Sequence, residues 1–351
     1  MYYLTYRPKK IEEIDNSNAQ KTIEAILKSK QIPHAFLLVG QKGTGKTSTA
    51  RILAKAINCL ENAFAKKGDS IEPCNKCKNC LSIEKGASSD VVEMDAASHR
   101  GIDDIRSLIK EASLLPMYGR YRVFIVDEAH MITNDAFNAL LKTLEEPPST
   151  VVFVLATTNQ EKVPKTIQSR CVIVNFRKAK KTDIVKMLKR VATAEKLTIE
   201  PKLLELVANH SEDSFRDAAK LLEELAMQKK LTFEDGKIYM GILAKEQLIE
   251  VINKKSLKES LLWIEEFSKA GGNVKYLIEQ ILDELRILLL AKNGVLREDE
   301  EPLPVDFSII EISRLIKLFQ DAYNNLKNAP IEIIPLEIAV VDFYNTGKIR
   351  S

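Results

Sequence analysis

The sequence lacks any hydrophobic run long enough to cross a membrane. Its longest uninterrupted apolar stretch is Val151 to Ala156, whereas a membrane-spanning helix needs roughly 18 to 20 apolar residues. The first ten residues, MYYLTYRPKK, also lack the basic start, apolar middle and small-residue cleavage site of a secretory signal. These absences exclude a membrane-spanning protein, and they predict a cytoplasmic protein with no membrane partner.

A strong excess of one charge is missing as well. The 52 basic and 49 acidic side chains leave a net charge of +3, which is too small to favour or exclude a nucleic-acid partner. Five cysteines in 351 residues do not form the dense pattern of a disulfide framework. Four of them nevertheless lie between residues 59 and 80, and this clustering needs its own explanation.

The order of predicted elements divides the chain into three parts. At about 150 residues per domain, the length favours two to three domains. Between residues 35 and 178, short β-rich runs alternate with helical segments, which is typical of a parallel sheet covered by helices. The predicted domains are 1–178, 179–242 and 243–351. The predicted strands are AFLLV, DVVEM, VFIVD, VVFVLAT and CVIVNF.

Beyond residue 178 the pattern is helical. The segments 182–196, 201–209 and 214–228 have helical length, and Ser214 with Asp217 has the spacing of a capping box. Farther on, Val274 to Lys292 places leucines and isoleucines at the i, i+3/i+4 spacing of a long amphipathic helix. The sequence therefore predicts a small three-helix domain followed by a separate helical domain.

A phosphate-binding loop is predicted at Gly40 to Thr47. The segment GQKGTGKT matches G-x-x-x-x-G-K-[ST] and lies directly after the strand AFLLV. Its glycines let backbone N–H groups surround a phosphate, Lys46 can reach the β- and γ-phosphates, and Thr47 can bind Mg²⁺. The alternative, an ordinary glycine-rich turn, is disfavoured by the flanking strand and helix.

Two carboxylates end another apolar strand, in VFIVDE. Asp127 would belong to the Mg²⁺ shell and Glu128 would polarise the attacking water of a P-loop ATPase. A strand followed by two acids is common, so this interpretation depends on the loop at Gly40.

Four cysteines offer a metal site, at Cys59, Cys74, Cys77 and Cys80. Tetrahedral Zn²⁺ prefers four such thiolates, and an iron–sulfur cluster is the chemical alternative. Cys171 stands apart at the start of a strand and is interpreted as a core residue.

Together, these motifs resemble the γ/τ subunits of the bacterial DNA polymerase III clamp loader, members of the AAA+ ATPases. The resemblance covers essentially the whole chain. It implies an α/β fold, in which an AAA+ parallel-sheet domain with an inserted zinc module at about 59–80 precedes a three-helix lid and an all-α collar. The segments that carry it are TyrArgPro at 6–8, HAFLLVGQKGTGKTS, the four cysteines, EMDAASHRGIDDIR, VDEAHM, FNALLKTLEEPP, LATTN and SRC.

The resemblance also implies roles for single residues. Thr158 matches the sensor 1 position and Arg216 the sensor 2 arginine, while Arg170 matches an arginine finger that enters a neighbouring subunit's site. Tyr6, Arg7 and Pro8 would line the base side of the nucleotide, although simple N-terminal packing is an alternative. The 14 residues between Cys59 and Cys74 are more than the family pattern has at this point. This difference puts the shape of the metal-binding loop in doubt, but not its four ligands. The expected nucleotide contacts of the loop and Walker B strand are Gly40, Gly43, Thr44, Gly45, Lys46, Thr47, Ser48 and Asp127.

The implied function is that of an ATP-driven motor. In a pentameric ring with other clamp-loader subunits it would open the sliding clamp and place it on primed double-stranded DNA, with ATP, Mg²⁺ and Zn²⁺ as cofactors. Arg100 and Arg106 are candidate phosphate contacts, or ordinary surface arginines; Arg170 could instead cap a helix or pair with a local carboxylate. A non-catalytic scaffold and a Holliday-junction helicase are the alternatives; the helicase would need a winged domain and no cysteine cluster.

Overall fold

The computed structural model describes residues 1–66, 69–240, 247–295 and 302–347. These residues form two compact units. The first comprises residues 1–198 and 207–224, and the second comprises 199–206 and the chain from 225 onward. The predicted lid and collar boundaries stay predictions, and the boundary at 242 and 243 lies outside the described residues.

The first unit is built on a five-stranded, all-parallel sheet. Its order is β2-β3-β4-β1-β5, with registers such as Leu38 opposite Ala156 on one side and Val174 on the other. The α/β alternation predicted from the sequence is confirmed. The strands are β1 (Ala35–Gly40), β2 (Val91–Asp95), β3 (Arg122–Asp127), β4 (Val151–Thr157) and β5 (Val172–Phe176).

Helices cover both faces of this sheet because its strands are apolar on both faces. On β1, Phe36 and Leu38 belong to one core cluster, whereas Ala35 and Leu37 belong to the other, as expected from the two-residue period of a strand. The helices of this part are α1 (Tyr2–Thr5), α2 (Ser17–Lys28), α3 (Lys46–Asn58), α4 (Lys78–Glu84), α5 (Ile102–Ala112), α6 (Asn134–Glu145), α7 (Lys165–Gln168) and α8 (Lys181–Ala194).

Two further helices contribute residues to both units, α9 (Pro201–Asn209) and α10 (Phe215–Met227). They agree with the predicted segments to within one residue at each end. The predicted cap is also present, since the Ser214 hydroxyl accepts the Asp217 N–H at 3.3 Å.

The regular secondary structure in the other described residues of the second unit is helical. The predicted helix at Val274–Lys292 is observed with those bounds, and Ile278, Ile281 and Leu285 face its core. No helix among the described residues is both long enough and apolar enough to span a membrane. The helices are α11 (Phe233–Tyr239), α12 (Leu248–Lys254), α13 (Leu257–Lys269), α14 (Val274–Lys292), α15 (Ile309–Asn325) and α16 (Ile334–Gly347).

The strand order positions a ligand site at the carboxyl edge of the sheet. β1 lies between β4 and β5, so the connections that leave β1 and β4 run to opposite sides of it. In open α/β sheets a ligand crevice forms where the strand order reverses in this way. The carboxyl ends of β1, β3 and β4 therefore meet at the predicted phosphate loop.

Candidate functional site

The loop between β1 and α3 has the backbone conformation of a phosphate cradle. Gly43 and Gly45 have φ angles of 80° and 98°, in the left-handed region that disfavours other residues. A Cβ atom on Gly43 would also collide with the side chain of Ser214. Both glycines are therefore required by geometry, and the motif at this position is a folded loop at the start of a helix.

Lys46 is buried within the loop. Its Nζ donates to the carbonyl oxygens of Gly40 and Gln41, at 2.8 Å in each case. Burial lowers the pKa of Lys46, while the nearby carboxylates of Glu128 and Asp127 act in the opposite direction. The ammonium group is thus held in the loop, where it can pair with a phosphate.

A hydroxyl and a carboxylate meet beside the loop, although they are 80 positions apart in the chain. Thr47 Oγ1 donates to Asp127 Oδ2 at 2.6 Å. Mg²⁺ is bound by such oxygen atoms together with phosphate oxygens and water. These two side chains therefore fit the predicted magnesium ligands.

Glu128 lies at the end of β3 in a strained backbone conformation. Its φ angle is 49°, which is uncommon for a non-glycine residue and recurs at functional sites. Thr158, the residue after β4, donates its hydroxyl to Glu128 Oε2 at 3.3 Å. Parallel neighbouring strands thus bring the predicted sensor 1 residue to the predicted catalytic carboxylate.

His130 is a neighbour of this carboxylate to which the sequence analysis assigned no role. Its Nδ1 lies 3.4 Å from Glu128 Oε2 and 3.2 Å from Thr157 Oγ1. One feature of the sequence could have indicated that His130 belongs to the site, namely its position two residues after Glu128. No other histidine lies at a metal-ligand spacing from it.

The phosphate loop, Asp127 and Glu128 line a pocket, and the N-terminal segment forms another of its walls. Tyr6 and Arg7 both line it. The Tyr6 hydroxyl donates to Glu195 at 2.5 Å, and this bond raises the pKa of Tyr6 to about 12. Burial lowers the pKa of Arg7, and the neighbouring Arg51 and Arg216 guanidinium groups act in the same direction.

Arg216, at the start of α10, lies against an aromatic ring of the N-terminal segment. Its guanidinium carbon is 4.8 Å from the centre of the Tyr3 ring, within the range of a cation–π contact. Tyr3 also lines the pocket. No motif indicated Tyr3, because its contact with Arg216 joins residues more than two hundred positions apart.

Most of the predicted nucleotide residues converge on this pocket, and a few do not. Gly40, Thr158 and Arg170 are not part of its lining. The predicted residues that line it are Tyr6, Arg7, Gly43, Thr44, Gly45, Lys46, Thr47, Ser48, Asp127, Glu128 and Arg216. Pro8, which was predicted with Tyr6 and Arg7, and Lys42, which belongs to the predicted loop, also line it. Lining residues that sequence analysis missed are Tyr2, Tyr3, Ile14, Asp15, Asn16, Thr49, Met187, Phe215 and Ala219.

Arg170 has local partners within the chain. It forms an ion pair with Glu145 at 2.5 Å and donates to the Thr166 carbonyl at 2.6 Å, at the end of α7. These are the helix cap and the carboxylate pair that sequence analysis kept as the alternative to an arginine finger. Glu145 is about half exposed, and an exposed pair of this kind contributes about 0–1 kcal/mol.

Arg100 lies just before α5 and Arg106 lies within it, and both side chains are exposed. Arg106 lies 3.6 Å from the Asp103 carboxylate. Asp103 and Asp104 both occupy the first turn of α5, so this helix start carries mixed charge. The positions are open to a DNA backbone, but they do not form a purely basic surface.

The four clustered cysteines converge in space. Their sulfur atoms all lie within 4.8 Å of one another, compared with about 3.8 Å for the edge of a tetrahedron with Zn–S bonds of about 2.3 Å. Cys59 follows α3, Cys77 caps α4 and Cys80 lies within it. Cys74 comes from the intervening loop, so the ends of α3 and α4, α4 itself and one loop supply the four sulfurs.

Backbone N–H groups point at two of the sulfurs. Cys74 Sγ accepts from Lys76 and Cys77 at 3.4 and 3.2 Å, and Cys59 Sγ accepts from Glu61 and Cys74 at 3.4 and 3.3 Å. Burial acts to raise the pKa of Cys74, but the Lys76 and Cys77 N–H groups and the neighbouring Cys59 and Cys77 thiols outweigh it and lower that pKa to about 7. Burial raises the pKa of Cys59 and of Cys80. The four sulfurs could hold a metal ion with four ligands and no open position.

Metal analysis of the purified chain should find about one Zn²⁺ per molecule. Cys77→Ser should reduce the metal content several-fold, because an alcohol is a poor substitute for a thiolate ligand. Cys171→Ser is the matched control, since Cys171 packs against a separate core and should leave the metal content unchanged. Full metal retention in Cys77→Ser would remove it from the ligand set, and visible absorption by the purified chain would indicate iron–sulfur chemistry instead.

Comparison with known proteins places these features in a family. Residues 15–180 match the family described as "DNA polymerase III, delta subunit". The tau subunit of Bacillus subtilis DNA polymerase III is 35% identical over 98% of this chain, which spans 63% of that relative's length. The gamma subunit of Buchnera aphidicola (subsp. Baizongia pistaciae) is 33% identical over 90% of this chain and 88% of its own length.

Solved structures similar to this chain include the Thermotoga maritima RuvB Holliday junction branch migration motor, which is 18% identical to it in sequence. Its TM-score is 0.48, over 77% of this chain and 86% of that one. The relationship to the gamma and tau subunits is much closer in sequence, and it extends through both units. The chain belongs to the family of DNA polymerase III gamma and tau subunits.

Proposed function

We propose that this chain is an ATP-hydrolysing motor subunit of the DNA polymerase III clamp loader, which opens the sliding clamp and loads it on primed DNA. One observation carries the proposal: the phosphate loop, the Thr47–Asp127 pair and Glu128 line a single pocket. In a member of the gamma and tau family, this arrangement favours hydrolysis over a purely structural nucleotide site.

Each side chain has a part in this chemistry. The loop N–H groups and Lys46 bind the β- and γ-phosphates, and Glu128 orients the attacking water while the Thr158 hydroxyl holds its carboxylate. Thr47 and Asp127 would hold Mg²⁺, which neutralises phosphate charge when bound. Arg216 would contact the γ-phosphate from α10.

The motor part of the proposal requires neighbouring subunits. We place a lid at 179–242 and a collar at 243–351 that joins five subunits into a ring, with Arg170 completing the adjacent site. Loss of the γ-phosphate would then release subunits from the alignment that fits clamp and DNA. Because the described residues of the second unit are helical, they offer no strand for the winged domain that a Holliday-junction helicase would need.

In a ring assembled with its partner subunits, ATP turnover should rise several-fold on adding clamp and primed duplex DNA. A non-catalytic scaffold would show no turnover above that of its partners.

Joint replacement of Arg100 and Arg106 by Ala should reduce the DNA-dependent increase and flatten its salt dependence, because phosphate contacts release counterions. Arg120→Ala is the control, since it removes an exposed arginine just before β3, at the opposite edge of the sheet. An unchanged salt slope in the double variant would reject the DNA assignment.

A further inference from the structure

Residues 59–84, which carry the four clustered cysteines and α4, are called the cysteine module below. A carboxylate in this module holds two backbone groups of the N-terminal segment. Glu72 Oε2 accepts the Ile11 N–H at 2.7 Å and Glu72 Oε1 accepts the Glu12 N–H at 3.0 Å. Ile11 is itself buried in the core beside β1. Charged acceptors of this kind make hydrogen bonds roughly twice as strong as neutral ones. We call Glu72 and these two bonds the strap.

Two further contacts tie the same segment to the module. Asn75 Nδ2 donates to the Lys9 carbonyl at 3.2 Å, and Lys9 Nζ lies 2.6 Å from Glu84 Oε1. The Lys9–Glu84 pair is partly exposed and contributes little alone. Together with the strap, these contacts hold residues 9–12 from one side.

The contacting side chains lie close in sequence to the four cysteines. Glu72 is two residues before Cys74, Asn75 follows Cys74 directly, and Glu84 is one helical turn after Cys80 on α4. Any ion that holds the sulfurs together therefore also fixes the positions from which these side chains reach residues 9–12.

The held segment continues directly into a wall of the nucleotide pocket. Tyr6, Arg7 and Pro8 line that pocket, and Lys9 is the next residue. The other end of the segment is bound separately, since the Tyr2 N–H donates to Glu223 on α10 at 3.0 Å. Tyr6 itself is also bound to Glu195. The wall is thus held at Tyr2, at Tyr6 and at residues 9–12, and the cysteine module supplies the contacts at residues 9–12 described above.

We propose that the cysteine module, through the strap and the Asn75–Lys9 bond, positions the Tyr6–Pro8 wall for nucleotide binding, so that Glu72 and Asn75 are positioning residues for that site. This inference rests on the proposed function, because it takes the pocket as the nucleotide site. If, without the strap, the wall has its binding-competent position in only about one-tenth of the molecules, the apparent Kd for nucleotide rises about tenfold. Turnover of bound ATP depends on Lys46 and Glu128 and stays close to wild type.

The test is Glu72→Ala in the full chain, with Asp69→Ala as control, since Asp69 is an exposed acid of the same module outside these contacts. Three quantities are measured: zinc content, hydrogen exchange at the Ile11 and Glu12 amides, and the Kd of a fluorescent ATP analogue. We expect unchanged zinc, exchange at least about tenfold faster at both amides because each loses its acceptor, and a Kd about tenfold higher. Glu72→Gln, which keeps one carbonyl acceptor, should give intermediate values.

Two other results would overturn the inference. Amides that stay protected in Glu72→Ala would show that the strap does not hold the segment. Faster exchange with a Kd equal to that of Asp69→Ala would show that the segment does not shape the pocket. Failure of the wild-type chain to bind ATP would reject the proposed function instead, while the amide exchange would still report on the strap.

A second variant covers loss of zinc in Glu72→Ala. Asn75→Asp keeps the oxygen that accepts from Lys55 Nζ at 2.8 Å and removes the donor to the Lys9 carbonyl. With zinc retained, it should weaken ATP-analogue binding by a few-fold and leave saturated turnover unchanged. An unchanged Kd in this variant would contradict the inference.

Discussion

Lys46→Ala should lose nucleotide binding, whereas Glu128→Gln should keep binding and lose turnover. Lys46 directs its ammonium group into the phosphate loop, and hydrogen bonds to charged groups contribute about 1.5–3 kcal/mol each. Two such bonds to phosphates correspond to a roughly 10²- to 10⁴-fold weaker Kd. Glu128 acts only on the attacking water, so its amide variant should lower turnover by roughly 10²- to 10⁴-fold at similar affinity.

Nucleotide affinity and single-turnover hydrolysis measured on both variants separate these roles. Lys42→Ala is the matched control, because Lys42 is an exposed cation of the same loop and should change affinity far less than Lys46→Ala does. Unfolding temperature and zinc content confirm that each variant is folded. Equal loss of nucleotide affinity in Lys46→Ala and Glu128→Gln would contradict the assignment of phosphate binding to Lys46 and of water orientation to Glu128.

Arg170→Ala should abolish turnover in the assembled ring, and mixing it with Lys46→Ala subunits should restore part of it. An arginine supplied by a neighbouring subunit raises phosphoryl-transfer rates by roughly 10³ to 10⁵ in other enzymes, or about 4–7 kcal/mol. The exposed pair with Glu145 is weaker by several kcal/mol, so Arg170 can leave it at little cost. In mixed rings some interfaces combine an intact Lys46 site with an intact Arg170.

Glu145→Ala distinguishes this role from a local one. If Arg170 serves only to pair with Glu145 and cap α7, removal of Glu145 should reproduce the defect of Arg170→Ala. If Arg170 acts in trans, Glu145→Ala should keep near-normal turnover, and Arg170→Lys should stay inactive because an ammonium lacks the planar two-donor geometry. Mixed rings that assemble but remain inactive would refute the trans assignment.

Local pattern was enough to predict the parts of this protein that depend on short sequence distances. The strand-loop-helix at Gly40 to Lys46 was predictable because left-handed glycines, a preceding strand and a following helix are all encoded within a few residues. The α14 helix was predictable for the same reason, since its apolar spacing directly determines the face that it buries. The roles of Thr158 and Arg216 came from family resemblance and stay predictions; Thr158 lies beside Glu128, and Arg216 lines the pocket.

By itself, the sequence determined the α/β alternation, the phosphate loop, the four-cysteine set and the family. Only the tertiary structure decided that Tyr3 stacks on Arg216, that His130 approaches Glu128 and that Glu72 holds the Ile11 and Glu12 amides. Two of these contacts join residues about sixty to more than two hundred positions apart, and the third depends on the turn after β3. No local propensity specifies them, because they arise only when packing of both sheet faces brings distant segments to one edge.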